Sequence, residues 1–143
     1  MNTLREILDE KGSEVLRVDA GVSVLEAVEQ MVDANVGSLL VTERGRDIGI
    51  VTERDYLRRV ALSGRTEEEI LVREIISSPL IVATRETTVD ECMALMTDRR
   101  IRHVPVVDGD TVIGIVSIGD LVKFTSKRQS FEIKYLTDYI SSH

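Results

Sequence analysis

Two aspartates stand at matching places in two short motifs, each three residues after a hydroxyl residue. Gly49–Asp55 has the sequence Gly-Ile-Val-Thr-Glu-Arg-Asp, and Gly114–Asp120, 65 positions later, has Gly-Ile-Val-Ser-Ile-Gly-Asp. Gly-Ile-Val predicts the end of a buried strand, Thr52 or Ser117 a helix N-cap, and the aspartate then falls at the third helical position. A helix that begins where a strand ends exposes unpaired backbone N–H groups at one point. The sequence therefore predicts two sites suited to a polar or anionic ligand.

The similarity extends well beyond the two motifs. When the sequence is shifted by 65 positions, its register holds without a gap from about Val15 to Leu57, so that Val24 aligns with Val89 and Met31 with Met96. Similarity over a whole unit of this length indicates two copies of one supersecondary structure. We therefore predict one module made of two like halves.

Each half has the pattern of a strand, a helix, a hairpin and a second helix. The first half is predicted to contain, in order, the strand Val15–Val18, a helix opened by the capping box Ser23–Glu26, a hairpin of Ser38–Thr42 and Ile48–Thr52, and a helix from about Glu53 to Leu62. The counterparts in the second half are the strand Leu80–Ala83, a helix opened by Thr88–Glu91, a hairpin of Val104–Val107 and Val112–Val116, and a helix from Asp120 onward. The helix after Ser23 should turn one apolar stripe to the core, made of Val24, Ala27, Val28, Met31 and Val32.

Further segments flank the two halves. Thr3–Glu6 predicts a capping box that opens a short helix with apolar Leu4, Ile7 and Leu8, and Gly12 ends it. The segment 72–76 echoes this opening before the second half. The predicted organisation is a first repeat with its N-terminal helix over residues 1–62, a connecting segment over 63–79, a second repeat over 80–125 and a C-terminal amphipathic helix over 126–143.

The aromatic residues lie after a motif or in the C-terminal segment. They either fill gaps in a small core or bury against a second copy of the chain, which would make a symmetric homodimer. The five are Tyr56, Phe124, Phe131, Tyr135 and Tyr139.

Composition excludes several classes of protein. A chain of 143 residues with 43% hydrophobic content can form one compact domain or two small units. Its single cysteine, Cys92, excludes an internal disulfide and a cysteine-based zinc cluster. The net charge of −7 argues against sequence-independent nucleic-acid binding, although Lys123, Lys127 and Arg128 form a local basic cluster. No signal peptide or membrane span is apparent, so a cytoplasmic protein is expected.

With two motifs in gapless register and Val104-Pro105-Val106-Val107 before the second, the sequence resembles a tandem pair of CBS domains, also called a Bateman module. The likeness covers roughly Val15–Val60 and Leu80–Thr125, and small stand-alone members are the most similar in layout. It implies an α/β (α+β) fold of two β-α-β-β-α repeats packed with pseudo-two-fold symmetry. It also implies ligand binding rather than catalysis, because family members bind AMP, ATP, NAD or S-adenosylmethionine in two clefts between the halves and transmit occupancy to a partner protein.

The chemistry of the motif agrees with this implication. An ionised carboxylate such as that of Asp120 or Asp55 can accept hydrogen bonds from both hydroxyls of a ribose diol. Ser117 or Thr52 can donate its hydroxyl to a ribose or phosphate oxygen. The alternative is a plain N-cap with an acidic residue in the first turn, which only stabilises the helix. Capping and ribose binding are compatible, so both interpretations stay open.

Cations distinguish the two halves. Before Pro105 the second half carries Arg100, Arg102 and His103, whereas the first half has Asn35, Gly37 and Ser38 at those places. The resemblance assigns to the main cleft Asp120, Ser117, Ile115, Gly119, His103 and Arg102, with Leu16 and Val36 from the other half. It assigns to the second cleft Asp55, Thr52, Arg54, Ile50 and Ser38, with Ile81 and Ile101. His103 could instead be a surface histidine, and the apolar residues ordinary core.

Three functions are compared. The first is a sensor of adenosine nucleotides that binds AMP as the first candidate, with ATP, ADP, NAD(H) or S-adenosylmethionine as alternatives, and no metal. It would be a homodimer that regulates an unidentified protein. The second is an assembly module with vestigial clefts. The third, an enzyme, is disfavoured because Cys92 has no adjacent base in sequence and no Gly-x-x-x-x-Gly-Lys or His-Glu-x-x-His motif occurs.

Overall fold

The structure, a computed structural model, describes residues 2–76 and 80–128. The C-terminal helix predicted over 126–143 lies outside these residues beyond Arg128, and so do Phe131, Tyr135 and Tyr139. Within the described residues, no helix combines the length and apolarity that crossing a membrane requires.

Each repeat folds as a three-stranded sheet with two helices, so the predicted mixed α+β class is confirmed. An N-terminal helix α1 (Leu4–Lys11) precedes the repeats, and a 3₁₀ turn (Val72–Glu74) lies between them. The first repeat consists of β1 (Arg17–Asp19), α2 (Val24–Ala34), β2 (Ser38–Glu43), β3 (Arg46–Thr52) and α3 (Glu53–Arg59). The second consists of β4 (Ala83–Thr84), α4 (Val89–Arg99), β5 (His103–Asp108), β6 (Thr111–Ser117) and α5 (Ile118–Arg128).

The two sheets have the same topology. In the first, β1 pairs parallel to β2 and β2 antiparallel to β3, and in the second β4, β5 and β6 repeat this order. Each hairpin has its register shift at the matching place, after Val41 and after Val106. The last strand of each repeat, β3 or β6, is therefore an edge strand that runs directly into a helix.

The chain divides into two compact units, and the division does not follow the order of the sequence. One unit is Glu14–Val82, which holds the first repeat and the connecting segment. The other joins α1, which precedes the first repeat, to the second repeat. Leu4, Ile7 and Leu8 of α1 are buried in the core of the second repeat.

The connecting segment completes the core of the first repeat in the matching way. Ile70, Val72 and Ile75 are buried with the strands and helix of that repeat. Backbone hydrogen bonds hold this segment along the start of α2, since the Val72 N–H donates to the Val22 carbonyl at 2.9 Å and the Val24 N–H to the Ile70 carbonyl at 2.8 Å. Each repeat therefore takes its last core layer from a segment outside its own β-α-β-β-α unit.

The same pattern of bonds holds the N-terminal segment to the second repeat. The Leu4 N–H donates to the Thr87 carbonyl at 2.9 Å, and the Val89 N–H donates to the Asn2 carbonyl at 3.0 Å. The isolated bridges between Thr3 and Thr88 and between Ser23 and Leu71 match as well.

Gly114 allows α1 to lie close to β6. A Cβ atom at this position would stand 2.6 Å from Leu8 Cδ2 and 3.4 Å from Leu8 Cδ1, much closer than side chains normally approach. Leu8 is itself buried, so it has little room to move away. The first residue of the second motif is thus a glycine because a helix packs against it.

Several local predictions differ from the structure. Thr3 is the N-cap of α1, but its side chain makes no capping hydrogen bond. The first strand begins at Arg17 rather than Val15, although the Leu16 carbonyl still accepts from the Leu40 N–H at 3.0 Å. The strand predicted at Leu80–Ala83 is confined to Ala83–Thr84.

Two helical predictions are also wrong in detail. α3 ends at Arg59 instead of Leu62, because Val60 turns into the core and its carbonyl accepts from the Ser63 hydroxyl at 2.8 Å. Val32 is 71% exposed, so the apolar stripe of α2 is narrower than its sequence suggests. Tyr56 and Phe124 are half-buried, and each packs against the core of its own unit.

Gly114→Ala should destabilise the protein by about 1–3 kcal/mol, because the added methyl group overpacks the contact with Leu8. Leu8→Ala alone should cost about 2–5 kcal/mol through the cavity it leaves. The double variant should be more stable than the sum of the two costs predicts, since each change relieves the other. Urea denaturation of the four proteins measures this coupling, and strictly additive costs would contradict the close contact.

Candidate functional site

The carboxylate of Asp120 is fixed at the junction of β6 and α5. The Ser117 N–H donates to Asp120 Oδ2 at 2.8 Å, and the Asp120 N–H donates to Ser117 Oγ at 3.1 Å. This reciprocal pair is a capping box, and it forms where the sequence predicts a helix N-cap, because Ser117 ends the strand and Asp120 is the third residue of the helix. The cap holds the carboxylate in one position without a contribution from a ligand.

The register of the hairpin places His103 beside the motif. His103 is the first residue of β5 and lies directly opposite Ser117, so the two side chains share one face of the sheet. The Ile118 N–H donates to the Arg102 carbonyl at 2.8 Å, which ties the start of α5 to the residue before β5. The structure therefore brings Asp120, Ser117, Arg102 and His103 together within one unit.

The structure adds a residue that the sequence interpretation missed. Lys11, the last residue of α1, donates from Nζ to Asp120 Oδ2 at 2.7 Å and to the Ile115 carbonyl at 2.7 Å. Ile115 lies on β6, the edge strand of its sheet, which has no further strand beside it to donate to an outward-facing carbonyl. Lys11 thus satisfies a carbonyl of the motif as well as its carboxylate.

The pKa of Asp120 reflects these neighbours. Partial burial raises the pKa of the carboxyl group, but the hydrogen bond from Lys11, the hydrogen bonds from Ser117 and the positive charge of Lys11 together bring it below its ordinary value. The side chain of Asp120 is 23% exposed. The site therefore presents an ionised carboxylate to solvent at neutral pH.

The motif of the first repeat has the same cap, but its carboxylate is more buried. The Thr52 N–H and the Thr52 hydroxyl both donate to Asp55 Oδ2, at 3.0 and 3.1 Å, and the Asp55 N–H donates to Thr52 Oγ1 at 3.2 Å. Asp55 is only 8% exposed, and Ser38, opposite Thr52 in the hairpin, is buried as well. The Glu53 N–H donates to the Gly37 carbonyl at 3.1 Å, as at the start of α5.

The other predicted site residues are divided between the two units. Leu16 and Val36 pack half-buried against the core of the first repeat, and Ile101 against that of the second. Ile50 is buried, Ile81, Ile115 and Arg54 are half-buried, and Gly119 is exposed. The nearest atom to a Cβ at Gly119 would be Ser117 Oγ, at 3.5 Å, so the protein leaves open space there.

An open groove of about 410 Å³ lies along α2 in the first unit, where Leu16 contributes to its lining. Three carboxylates also line this groove, those of Glu26, Glu29 and Asp33. Such a surface repels phosphate, so it does not offer a second anion site.

Two further observations bear on catalysis and metals. Cys92 is fully buried, and burial raises the pKa of its thiol to about 11, so the thiol stays protonated and unreactive at neutral pH. Among the described residues, no group of three or more His, Cys, Asp or Glu side chains is placed to hold a metal ion.

The lowered pKa of Asp120 predicts a dependence of stability on pH. Because the carboxyl pKa is lower in the folded protein, its ionisation stabilises the fold above the unfolded pKa of roughly 3.9, and this contribution disappears as pH falls through the folded pKa. Urea denaturation between pH 2.5 and 6 should therefore show a smaller loss of unfolding free energy in Asp120→Asn than in the wild type. Lys11→Met should also lose less unfolding free energy than the wild type as the pH falls. If the unfolding free energy of Lys11→Met falls with pH as steeply as that of the wild type, the role of the ammonium group is contradicted.

The sequence matches the CBS domain family twice, over residues 4–62 and 72–127. It is 38% identical over 147 residues to the mitochondrial CBS domain-containing protein CBSX3 of Arabidopsis thaliana, with 96% of this chain and 71% of the relative covered. The fold is similar to that of the CBS-domain containing protein ATU1752 from Agrobacterium tumefaciens, with a TM-score of 0.83, 34% identity, and 87% of this chain and 99% of that chain covered.

The fold is also similar to a CBS domain pair solved with adenosine-containing ligands. This is the pair of protein MJ0100 in complex with 5′-methylthioadenosine and S-adenosyl-L-methionine, with a TM-score of 0.76, 25% identity, and 90% of this chain and 98% of that chain covered. Two matches to one family, together spanning most of the chain, agree with the two like units of the structure. The chain belongs to the CBS domain family and carries two CBS domains in tandem.

Proposed function

We propose that this protein is a non-catalytic sensor module that binds an adenosine-containing ligand at the Asp120 motif and signals occupancy to a separate protein. The observation that carries the proposal is the open, ionised carboxylate of Asp120. Its Oδ2 atom accepts from the Ser117 N–H and from Lys11, and the side chain is 23% exposed, so the carboxylate can accept from a ligand as well.

A ribose diol fits this arrangement. The ionised carboxylate of Asp120 can accept from both ribose hydroxyls, and hydrogen bonds to an ionised acceptor are about twice as strong as neutral ones. Ser117 Oγ accepts from the Asp120 N–H, and the Ser117 side chain also hydrogen-bonds the Asp120 carboxylate. The hydroxyl could rotate to donate to a ribose or phosphate oxygen when a ligand binds. The complex of MJ0100 with two adenosine derivatives supports this class of ligand.

A phosphate group on the ligand would need binding groups near the motif. Arg102 is exposed and His103 half-buried, and both stand at the strand end that faces the motif. Arg102 supplies a cation and His103 a ring nitrogen that can hydrogen-bond a phosphate, and a phosphate near an aspartate requires such partners. AMP is therefore the first candidate, with ADP, ATP, NAD(H) and S-adenosylmethionine as the others to be compared.

The Asp55 motif is proposed as the weaker site. Its hydroxyl proton is already donated to its own carboxylate, and Asp55 is more buried than Asp120. Ser38 and Gly37 stand where the second repeat has His103 and Arg102. A ligand there would have to break the bond between Thr52 and Asp55 and would find fewer cations.

The output of the sensor is proposed to be a change that a partner protein detects, and the protein itself is proposed to be a homodimer. The buried, protonated thiol of Cys92 supports a binding role over a catalytic one. Light scattering with and without ligand measures the oligomeric state directly.

Isothermal titration should show saturable binding of at least one of the adenosine ligands. Asp120→Asn keeps an acceptor for the Ser117 N–H but removes the charge, so it should weaken binding about 10- to 100-fold through the loss of charge-assisted hydrogen bonds. Asp110→Asn, in the exposed turn between β5 and β6, is the matched control and should bind like the wild type. Asp55→Asn should leave the tighter binding event unchanged.

Protein for these titrations must first be freed of co-purified nucleotide, which can be checked by its ultraviolet spectrum. If no adenosine ligand binds the wild type at millimolar concentration, the sensor proposal fails and an assembly module with vestigial sites replaces it. Equal binding by Asp120→Asn and wild type would place the ligand elsewhere on the chain.

A further inference from the structure

We propose that Lys11 sets the charge preference of the Asp120 site, so that an adenosine ligand carrying a phosphate is favoured over a neutral or sulfonium-bearing one. The inference rests on the proposed function and names the residue that selects among its candidate ligands. Nothing in the motifs themselves points to Lys11, because it precedes the first repeat by sequence and meets Asp120 109 positions later.

The hydrogen bonds of Lys11 leave its ammonium group one donor. A lysine ammonium has three N–H groups. Two of them donate to Asp120 Oδ2 and to the Ile115 carbonyl, and no other acceptor contacts Lys11 among the described residues. The third N–H is available to an acceptor on a ligand that occupies the motif.

The same contact changes the charge that a ligand meets. A carboxylate alone repels phosphate. Lys11 Nζ lies 2.7 Å from Asp120 Oδ2, so its positive charge offsets that of the carboxylate at short range. The carboxylate next to Lys11 in sequence, that of Glu10, pairs with Lys127 of α5 at 3.5 Å. An anionic group near the pair is then tolerated, while the positive sulfonium of S-adenosylmethionine loses the attraction of the free carboxylate.

The position of Lys11 is set by the packing of α1 in the core of the second repeat. The buried leucines of α1 and the close approach of Leu8 to Gly114 hold the helix against β6. Its last residue, Lys11, therefore lies at the edge of β6. In the matching segment of the first unit, residues 70–76, the one cation is Arg73, which bonds Glu43 at 3.0 Å instead. The charge preference is thus a property of the second repeat.

The test is the ratio of the dissociation constants for adenosine and AMP, measured by titration for the wild type and Lys11 variants. Lys11→Met should lower the adenosine-to-AMP ratio about tenfold, because AMP loses a cation and adenosine keeps its ribose contact. It should also tighten the binding of S-adenosylmethionine relative to AMP. Lys11→Arg keeps the charge and should restore the wild-type ratio.

Arg5→Met removes the same charge from the same helix, away from the motif, and should leave the ratio unchanged. A ratio unaffected by Lys11→Met, or lowered equally by Arg5→Met, would overturn the proposal while the sensor function stands. Equal tightening of both ligands in Lys11→Met would overturn it too, since Lys11 would then merely compete for the carboxylate. If the wild type binds neither adenosine nor AMP, both proposals fail together.

Discussion

The structure depends on an exchange of core segments between the two repeats. A β-α-β-β-α unit of this size leaves part of the apolar surface of its sheet and helix uncovered. A small domain buries only a limited apolar area, so leaving this surface uncovered costs it stability. Here α1 covers the second repeat, and the segment around Val72 covers the first. The first unit is continuous in sequence, so its core is complete once the connecting segment has been synthesised. The buried residues of α1, by contrast, have their core only when the second repeat follows.

The exchange also determines how the site is built. The reciprocal bonds between Ser117 and Asp120 require only three successive residues after the strand, so the position of the carboxylate is local and appears in both repeats. The cation that contacts the carboxylate of Asp120 is Lys11 of α1, which is distant from the motif in sequence. Asp120 Oδ2 thus accepts one local and one long-range hydrogen bond. The local bond comes from the backbone of its own repeat, and the long-range bond comes from Lys11 of α1.

This difference in origin explains what the sequence could predict. The hairpins, the capping box at Thr88 and the placement of the two aspartates follow from short-range patterns, and the structure has them. At Ser23 the predicted capping box is only half formed, since Ser23 Oγ accepts from the Glu26 N–H at 3.2 Å without the reciprocal bond from the Glu26 side chain. Lys11 could not be found in this way, because no periodicity or spacing near it reports a contact made through a packed helix. The sequence pattern at Gly114 predicts only the end of a strand, whereas its lack of a Cβ reflects the packing of Leu8.

The divergence of the two motifs follows from the same reasoning. Identical caps do not make equivalent sites, because the cap fixes where the carboxylate lies and its neighbours fix what it can accept. At Asp55 the threonine hydroxyl turns inward to the carboxylate, so the bond that a ligand would offer is already made within the protein. At Asp120, Oδ2 accepts from Lys11 as well as from the Ser117 N–H, and the side chain is 23% exposed, so the carboxylate can also accept from a ligand. A duplicated fold has in this way kept one geometry twice and given its two carboxylates different hydrogen-bonding capacity.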